Sequence, residues 1–277
     1  MLGGAAAAGP RVNVLAAENF YGDVARQIGG EHIDVSSILS NPNQDPHLFE
    51  ITATIIRRVG TADVVLVNGA GYDHWIAQLL AVAHRPERIV ITAAELVNKK
   101  PGDNPHLWYD PGTMPAMAQA LTEALSKADP AHAADYRQRL RAFGASLTSI
   151  NEKIGEIRAK YAGVAVGATE PVFGYMAAAL QLQVRDDGFA LAAMNDTEPT
   201  ARQVASFERD LREHKIRVLL YNTQTNTSMT RRMVDIAHEV GVPVVGVSET
   251  QPSDQSYQQW ILNELEALQR ALAQSAT

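Results

Sequence analysis

AHAADYRQRLRAFGASLTSINEKIGEIRAKY, residues 131–161, decides how this chain is organised. The stretch holds no proline, and its apolar residues Leu140, Phe143, Leu147, Ile150, Ile154, Ile157 and Tyr161 recur at the three- and four-residue spacing that gathers them on one face of a helix. Asp129-Pro130 supplies a capping-type start. A continuous helix of about 30 residues would be about 45 Å long, more than one compact lobe needs. The pattern therefore predicts a rigid spine running along two lobes. The other reading is two helices broken at Gly144.

On both sides of the spine, short apolar runs alternate with longer helical patterns, which argues for βα units and mostly parallel sheets. Before it, strands are expected over residues 11–16, 33–39, 63–68 and 88–92, with helices over 21–29, 50–60 and 72–83. After it, strands are expected over 163–168, 182–185, 216–221 and 243–247. Helices should start at Pro171, near Thr200 and near Asn226, and a last one should run over 255–273. Proline suits a first helical position, where its missing N–H is not needed. The expected fold is an α/β chain of two lobes, each a mostly parallel four-stranded sheet flanked by helices, joined by one long spine helix. Residues 1–130 and 162–277 form the lobes, and residues 131–161 form the spine.

Composition narrows the functions. The chain has 277 residues, a formal charge of −7, 46 % hydrophobic and 20 % charged residues, and no cysteine. Disulfides and thiolate metal sites are excluded. A mildly acidic chain with no basic stripe argues against nucleic-acid binding. No run of about 18 apolar residues occurs, so stable membrane insertion is not expected. Residues 1–10, MLGGAAAAGP, fit the remnant of a secretion signal and equally an appended tail.

The clearest chemical signal is an internal echo. Asp45-Pro46-His47-Leu48-Phe49 recurs as Asn104-Pro105-His106-Leu107-Trp108. Proline fixes its own φ and pushes the preceding residue into an extended form. Each histidine thus leaves a stiff turn with its ring aimed reproducibly, as a metal ligand requires. His47 follows the second expected strand and His106 the fourth, and open α/β sheets bind ligands beyond the carboxyl ends of their strands. The equivalent places in the second half hold Glu170 and Glu249, with Asp254 competing for the latter role. Two imidazoles and two carboxylates lean towards Mn(II) or Fe(II), while a two-histidine site also suits Zn(II). Glu18, Asn19 and His74, near strand ends, are candidates to orient a ligand histidine. Asp110 is a further candidate, more suited to fixing its own loop or capping the helix near Gly112. His32, His84, His132, His214 and His238 read as solvated surface groups.

The order DPHLFE (45–50), NPHLWYDP (104–111), TEPVFGY (169–175) and GVPVVGVSET (241–250), with the long helix between, resembles the manganese-, zinc- and iron-specific solute-binding proteins of bacterial ABC importers, the helical-backbone metal receptors. The match runs from Val12 to the final helix. The resemblance implies a monomeric, non-enzymatic receptor, periplasmic or associated with the outer face of the membrane. It would present a divalent metal held between its lobes to a membrane permease. It implies ligands at His47, His106, Glu170 and a fourth acid late in the chain. The third position is typically His in zinc receptors and Glu in manganese or iron receptors. Three departures stand out. The fourth acid is Glu249 where Asp is usual, Asn104 stands where Asp is common, and the His- and Asp-rich loop of many zinc receptors is missing. A metal-dependent hydrolase and an adhesion protein on the same fold are the rival readings. Four protein ligands leave little room for the open coordination position that a hydrolytic metal keeps.

Overall fold

The computed structural model describes residues 11–41, 51–195, 197–225 and 227–274. The first sheet is built from β1 (Val12–Glu18), β2 (Ile33–Leu39), β3 (Val64–Val67) and β4 (Ile89–Thr92), in the order β2-β1-β3-β4. The second repeats that order with β5 (Ala165–Ala168), β6 (Gln183–Arg185), β7 (Leu219–Asn222) and β8 (Val244–Val247), as β6-β5-β7-β8. Every pairing is parallel, with Val14 opposite both Val35 and Val64, and Leu219 opposite Val244. Strands covered on both faces need unbroken apolar runs. Val64-Val65-Leu66-Val67 is such a run, and all four residues are buried.

In each sheet the chain leaves the first strand in one direction and returns on its other side. That reversal opens a crevice beyond the carboxyl ends of β1 and β3, and again beyond β5 and β7. Glu18 ends β1, Asn68 follows β3, Glu170 lies just past β5 and Asn222 ends β7. β1 runs two residues further than its apolar pattern suggests, straight into α1 (Asn19–Gly29), which buries Glu18 at the junction.

The helices between strands are α2 (Ala53–Thr61), α3 (His74–Val82), the single turn α4 (Ala93–Leu96) and α5 (Thr113–Ala128) in the first half. The spine follows as α6 (Ala133–Ser146) and α7 (Thr148–Tyr161). Leu147 interrupts it, and the break falls three residues beyond Gly144. The Ser146 hydroxyl donates to the Phe143 carbonyl at 2.7 Å, the acceptor that the Leu147 N–H would use in an unbroken helix. The Leu147 N–H turns to Gly144 O instead, at 3.3 Å, a local tightening of the kind that bends helices. Phe143, Leu147, Ile150, Ile154 and Ile157 are all buried, as their spacing requires.

In the second half come α8 (Gly174–Ala179), α9 (Asp187–Met194), α10 (Ala201–Arg212), α11 (Ser228–Glu239) and α12 (Tyr257–Gln274). Thr200 and Thr227 open α10 and α11 with reciprocal capping boxes. α12 packs along α7, yet its first turn lies against the opposite half: the Tyr257 N–H donates to Asp23 at 2.9 Å, and Gln258 exchanges hydrogen bonds with Gln27. Phe20, Trp108, Tyr109, Phe173 and Trp260 form an aromatic cluster with ring centroids 4.7 to 6.1 Å apart. One apolar core consequently spans both sheets, with a smaller one beneath α10 and α11.

Candidate metal centre

His106 leaves Asn104-Pro105 on a turn anchored by the fully buried Leu107, Trp108 and Tyr109. Its own ring is 1 % exposed. The Asn104 side-chain oxygen accepts from the His106 N–H at 3.1 Å and lies 2.6 Å from Nδ1. A side-chain amide oxygen only accepts, so Nδ1 carries a proton, and Nε2 is the nitrogen left to bind a metal. Nε2 faces Glu249 Oε2 at 3.6 Å. This is the tautomer and aim of a metal-binding imidazole, fixed by the partner of its other nitrogen.

The two glutamates meet at Asn222. Its Nδ2 donates its two protons to Glu170 Oε2 at 2.6 Å and Glu249 Oε1 at 2.7 Å, with Thr225 Oγ1 3.0 Å away. The Gln224 side-chain oxygen receives the Glu249 and Thr250 N–H groups at 2.6 and 2.9 Å, which fixes the loop after β8. Burial raises the Glu170 carboxyl above its ordinary range, and Glu249's like charge adds to this, while the Asn222 hydrogen bond and His106 oppose it. Two buried carboxyl groups beside one imidazole form a set whose negative charge a cation would balance. Among the described residues no three His, Cys, Asp or Glu side chains stand as a finished ligand cluster. The Asn222 amide is interposed between the glutamates, and His47 lies outside the described residues.

The other candidates have separate places. Glu18 is buried. Burial raises Glu18 well above the usual carboxylate range, with Asp73 adding to it. Burial raises Asp73 as well, opposed by the Gly69 and Asn68 N–H groups that it accepts at 2.9 and 2.7 Å. Asn19 reaches across to the other half: its Nδ2 donates to Gln251 O at 2.7 Å and its Oδ1 accepts from Gln251 N at 3.2 Å, two residues beyond Glu249. His74 opens α3 and is exposed. Asp110 accepts the Gly112 N–H at 2.9 Å and so shapes its own loop. Asp254 is exposed, whereas Glu249 is 1 % exposed.

Several groups at the site carry no motif signal. Asn222 and Gln224 sit in Tyr221-Asn-Thr-Gln224, whose only sequence cue is its place at a strand end. Tyr72 lies with its ring 6.2 Å from that of His106, and burial and Glu249 keep its hydroxyl protonated. Asn68 donates to Pro105 O at 2.8 Å and supports the turn that carries His106.

Residues 14–271 match the family described as zinc-uptake complex component A, periplasmic. The chain belongs to that family. It is a family of solute-binding receptors and not of enzymes. Among the receptors it resembles is the manganese ABC transporter substrate-binding lipoprotein PsaA of Streptococcus pneumoniae, 22 % identical over 85 % of this chain and 79 % of that protein. The periplasmic zinc binding protein TroA from Treponema pallidum superposes with a TM-score of 0.79 at 18 % identity, over 95 % of this chain and 99 % of that one. The solute-binding protein FpvC from Pseudomonas aeruginosa, solved in complex with Mn2+, gives 0.79 at 21 % identity, over 96 % and 100 %. The two solved receptors share the two-sheet fold. No helix among the described residues is long and apolar enough to cross a membrane.

Proposed function

We propose that this receptor captures one divalent transition-metal ion, with Mn(II) favoured over Zn(II) and Fe(II), and delivers it as cargo to the membrane permease of an ABC importer. The ligands in this reading are His106 and His47 from residues 1–130 and Glu170 and Glu249 from residues 162–277, with residues 131–161 as the spine. The protein acts as a monomer outside the cytoplasm. The observation that carries the reading is the His106 ring, oriented by Asn104 with Nε2 3.6 Å from a Glu249 carboxylate that shares Asn222 with Glu170.

A set of two imidazoles and two carboxylates is rich in hard oxygen donors, which suits Mn(II). The carboxylates can also bind through both oxygens, raising the coordination number beyond zinc's usual four. The family description, in turn, names zinc. Calorimetric titration of chelator-stripped protein with Mn(II), Zn(II) and Fe(II) tests the proposal. One-to-one binding is expected, lost in His106→Ala and in Glu249→Ala. Absence of binding at micromolar metal would end it, and a strong preference for Zn(II) over Mn(II) would overturn the choice of cargo.

A further inference from the structure

Behind the candidate ligands, one tyrosine hydroxyl joins three elements. Tyr109, three residues past His106, places its hydroxyl oxygen 2.9 Å from Ser248 O and 2.7 Å from Glu264 Oε2. Ser248 immediately precedes Glu249, and Glu264 lies in the third turn of α12 with its other oxygen receiving the Trp260 Nε1–H at 2.8 Å. The tyrosine oxygen also accepts the Ser248 N–H at 3.3 Å, but its other two contacts are between oxygens, so each of those needs a proton. The hydroxyl has one to give. Given to an ionised Glu264, it leaves the Ser248 carbonyl facing a lone pair at 2.9 Å. Given to Ser248, it leaves the 2.7 Å contact to be bridged by a proton on Glu264. Only a protonated carboxyl satisfies every group.

We propose that Glu264 is a positioning residue of the metal site: it carries a proton and, through Tyr109, clasps the Ser248–Glu249 loop to the turn that bears His106. The inference rests on the metal-receptor reading above. The surroundings agree with a neutral carboxyl. Burial pushes Glu264 up to about 8, opposed by the hydrogen bonds of Tyr109, Trp260 and the Ser248 backbone. Tyr109 is raised by burial and by Glu264. Tyr257, on the same helix, is raised by burial and by the charges of Asp110 and Glu264. Both phenols therefore stay protonated throughout the range in which Glu264 loses its proton. The clasp then holds at neutral pH and loosens above it, because an ionised Glu264 draws the tyrosine proton away from the Ser248 carbonyl and leaves only the longer Ser248 N–H contact.

Glutamine reproduces the protonated acid, with an amide N–H for Tyr109 and an oxygen for Trp260. Release of bound Mn(II) to a chelator, followed by stopped flow from pH 6.5 to 9, separates the cases when wild type is divided by Glu264→Gln at each pH. The ratio should rise about fivefold on the alkaline side, the worth of one net hydrogen bond. Tyr109→Phe should release faster at every pH and show no alkaline step. In parallel, infrared spectra of metal-free protein, taken as wild type minus Glu264→Gln so that Glu18 cancels, should show a protonated carboxyl stretch at pH 7 that fades by pH 9. A flat release ratio, or no such difference band at pH 7, overturns the clasp. Because the infrared band needs no metal, absence of metal binding would count against the receptor reading and leave the clasp to be judged on that band.

Discussion

Replacing Asn104 by Asp, the residue its family resemblance leads one to expect, isolates what the amide does. Asp keeps the oxygen that receives the His106 N–H and Nδ1–H at 3.1 and 2.6 Å. It loses the Nδ2 that donates to Pro171 O at 2.7 Å, a bond from the turn bearing His106 to the residue after Glu170. A carboxylate oxygen would then oppose a carbonyl oxygen at that distance. The missing bond costs about 1 kcal/mol and the stranded, half-buried carbonyl about 1 more, so about 2 kcal/mol in total. For a chain of this size that is a fall of about 4–8 °C in Tm. The deficit should depend on pH with a definite sign. Once protonated, the introduced carboxyl has a hydroxyl to offer Pro171, so the loss should be full near pH 8 and shrink as pH falls through the carboxylate range near 4. Chemical denaturation of metal-free wild type and Asn104→Asp from pH 4 to 8 reads this directly. Equal stability at pH 8, or a deficit that ignores pH, would refute the bridging role of the amide.

Asn222→Leu removes the donor common to Glu170 and Glu249, and metal affinity measured by chelator competition should fall about 10–100-fold with the fold intact. An unchanged affinity would exclude Asn222 from the site. Gly174→Ala would bring a Cβ within 2.8 Å of Asn104 Nδ2, so a loss of about 1–3 kcal/mol and weaker binding are expected, checked by thermal melts with and without metal. For Glu264 the folded value of about 8 lies above the ordinary 4.5, so its contribution to stability is complete below about 4.5 and declines as pH climbs towards 8. Relative to Glu264→Gln, wild type should lose up to about 1.4 kcal/mol per pH unit across that window, read from urea unfolding. Metal at 100 times its Kd should add about 2.7 kcal/mol to unfolding, and a chelator should remove it.

The lobes, the parallel strands and the spine were legible because burial imposes a period on sequence, and Val64–Val67 or Phe143, Leu147 and Ile150 carry that period plainly. The interruption at Leu147 was not, because it arises from a serine hydroxyl competing for one carbonyl, an effect without periodicity. Proline made His106 conspicuous by stiffening its turn, and strand-end position pointed to Glu170 and Glu249, which the structure brings to a common asparagine. Asn222 itself left no trace: an amide whose value lies in bridging residues 52 and 27 positions away looks like any polar residue at a strand end. Asn19 was legible as a polar group near a strand end, but not its partner, since the Gln251 backbone lies 232 residues away. Local chemistry announces candidate ligands, and the groups that hold them emerge only with the tertiary pairing.

That pairing also constrains how cargo could leave. Hydrogen bonds between the two halves join Asn19 to Gln251, Asn104 to Pro171, Tyr175 to Asn104, Tyr109 to Ser248 and Tyr257 to Trp108. At about 1 kcal/mol net for each, parting the lobes costs about 5 kcal/mol before any aromatic contact is broken, so at most about one molecule in several thousand is wide open at equilibrium. The Phe20–Trp108–Trp260 cluster raises that cost further, since its rings are buried where the halves meet. The Ser248–Gln251 loop is held by Gln224 and Asn222 from its own half and by Tyr109 and Asn19 from the other, and moving it carries Glu249 with it. Freeing the loop breaks about as many hydrogen bonds as parting the halves does, but it leaves the aromatic cluster intact. Local displacement of the Glu249 loop is therefore the route of unloading that spares the buried rings a whole-molecule hinge would have to separate.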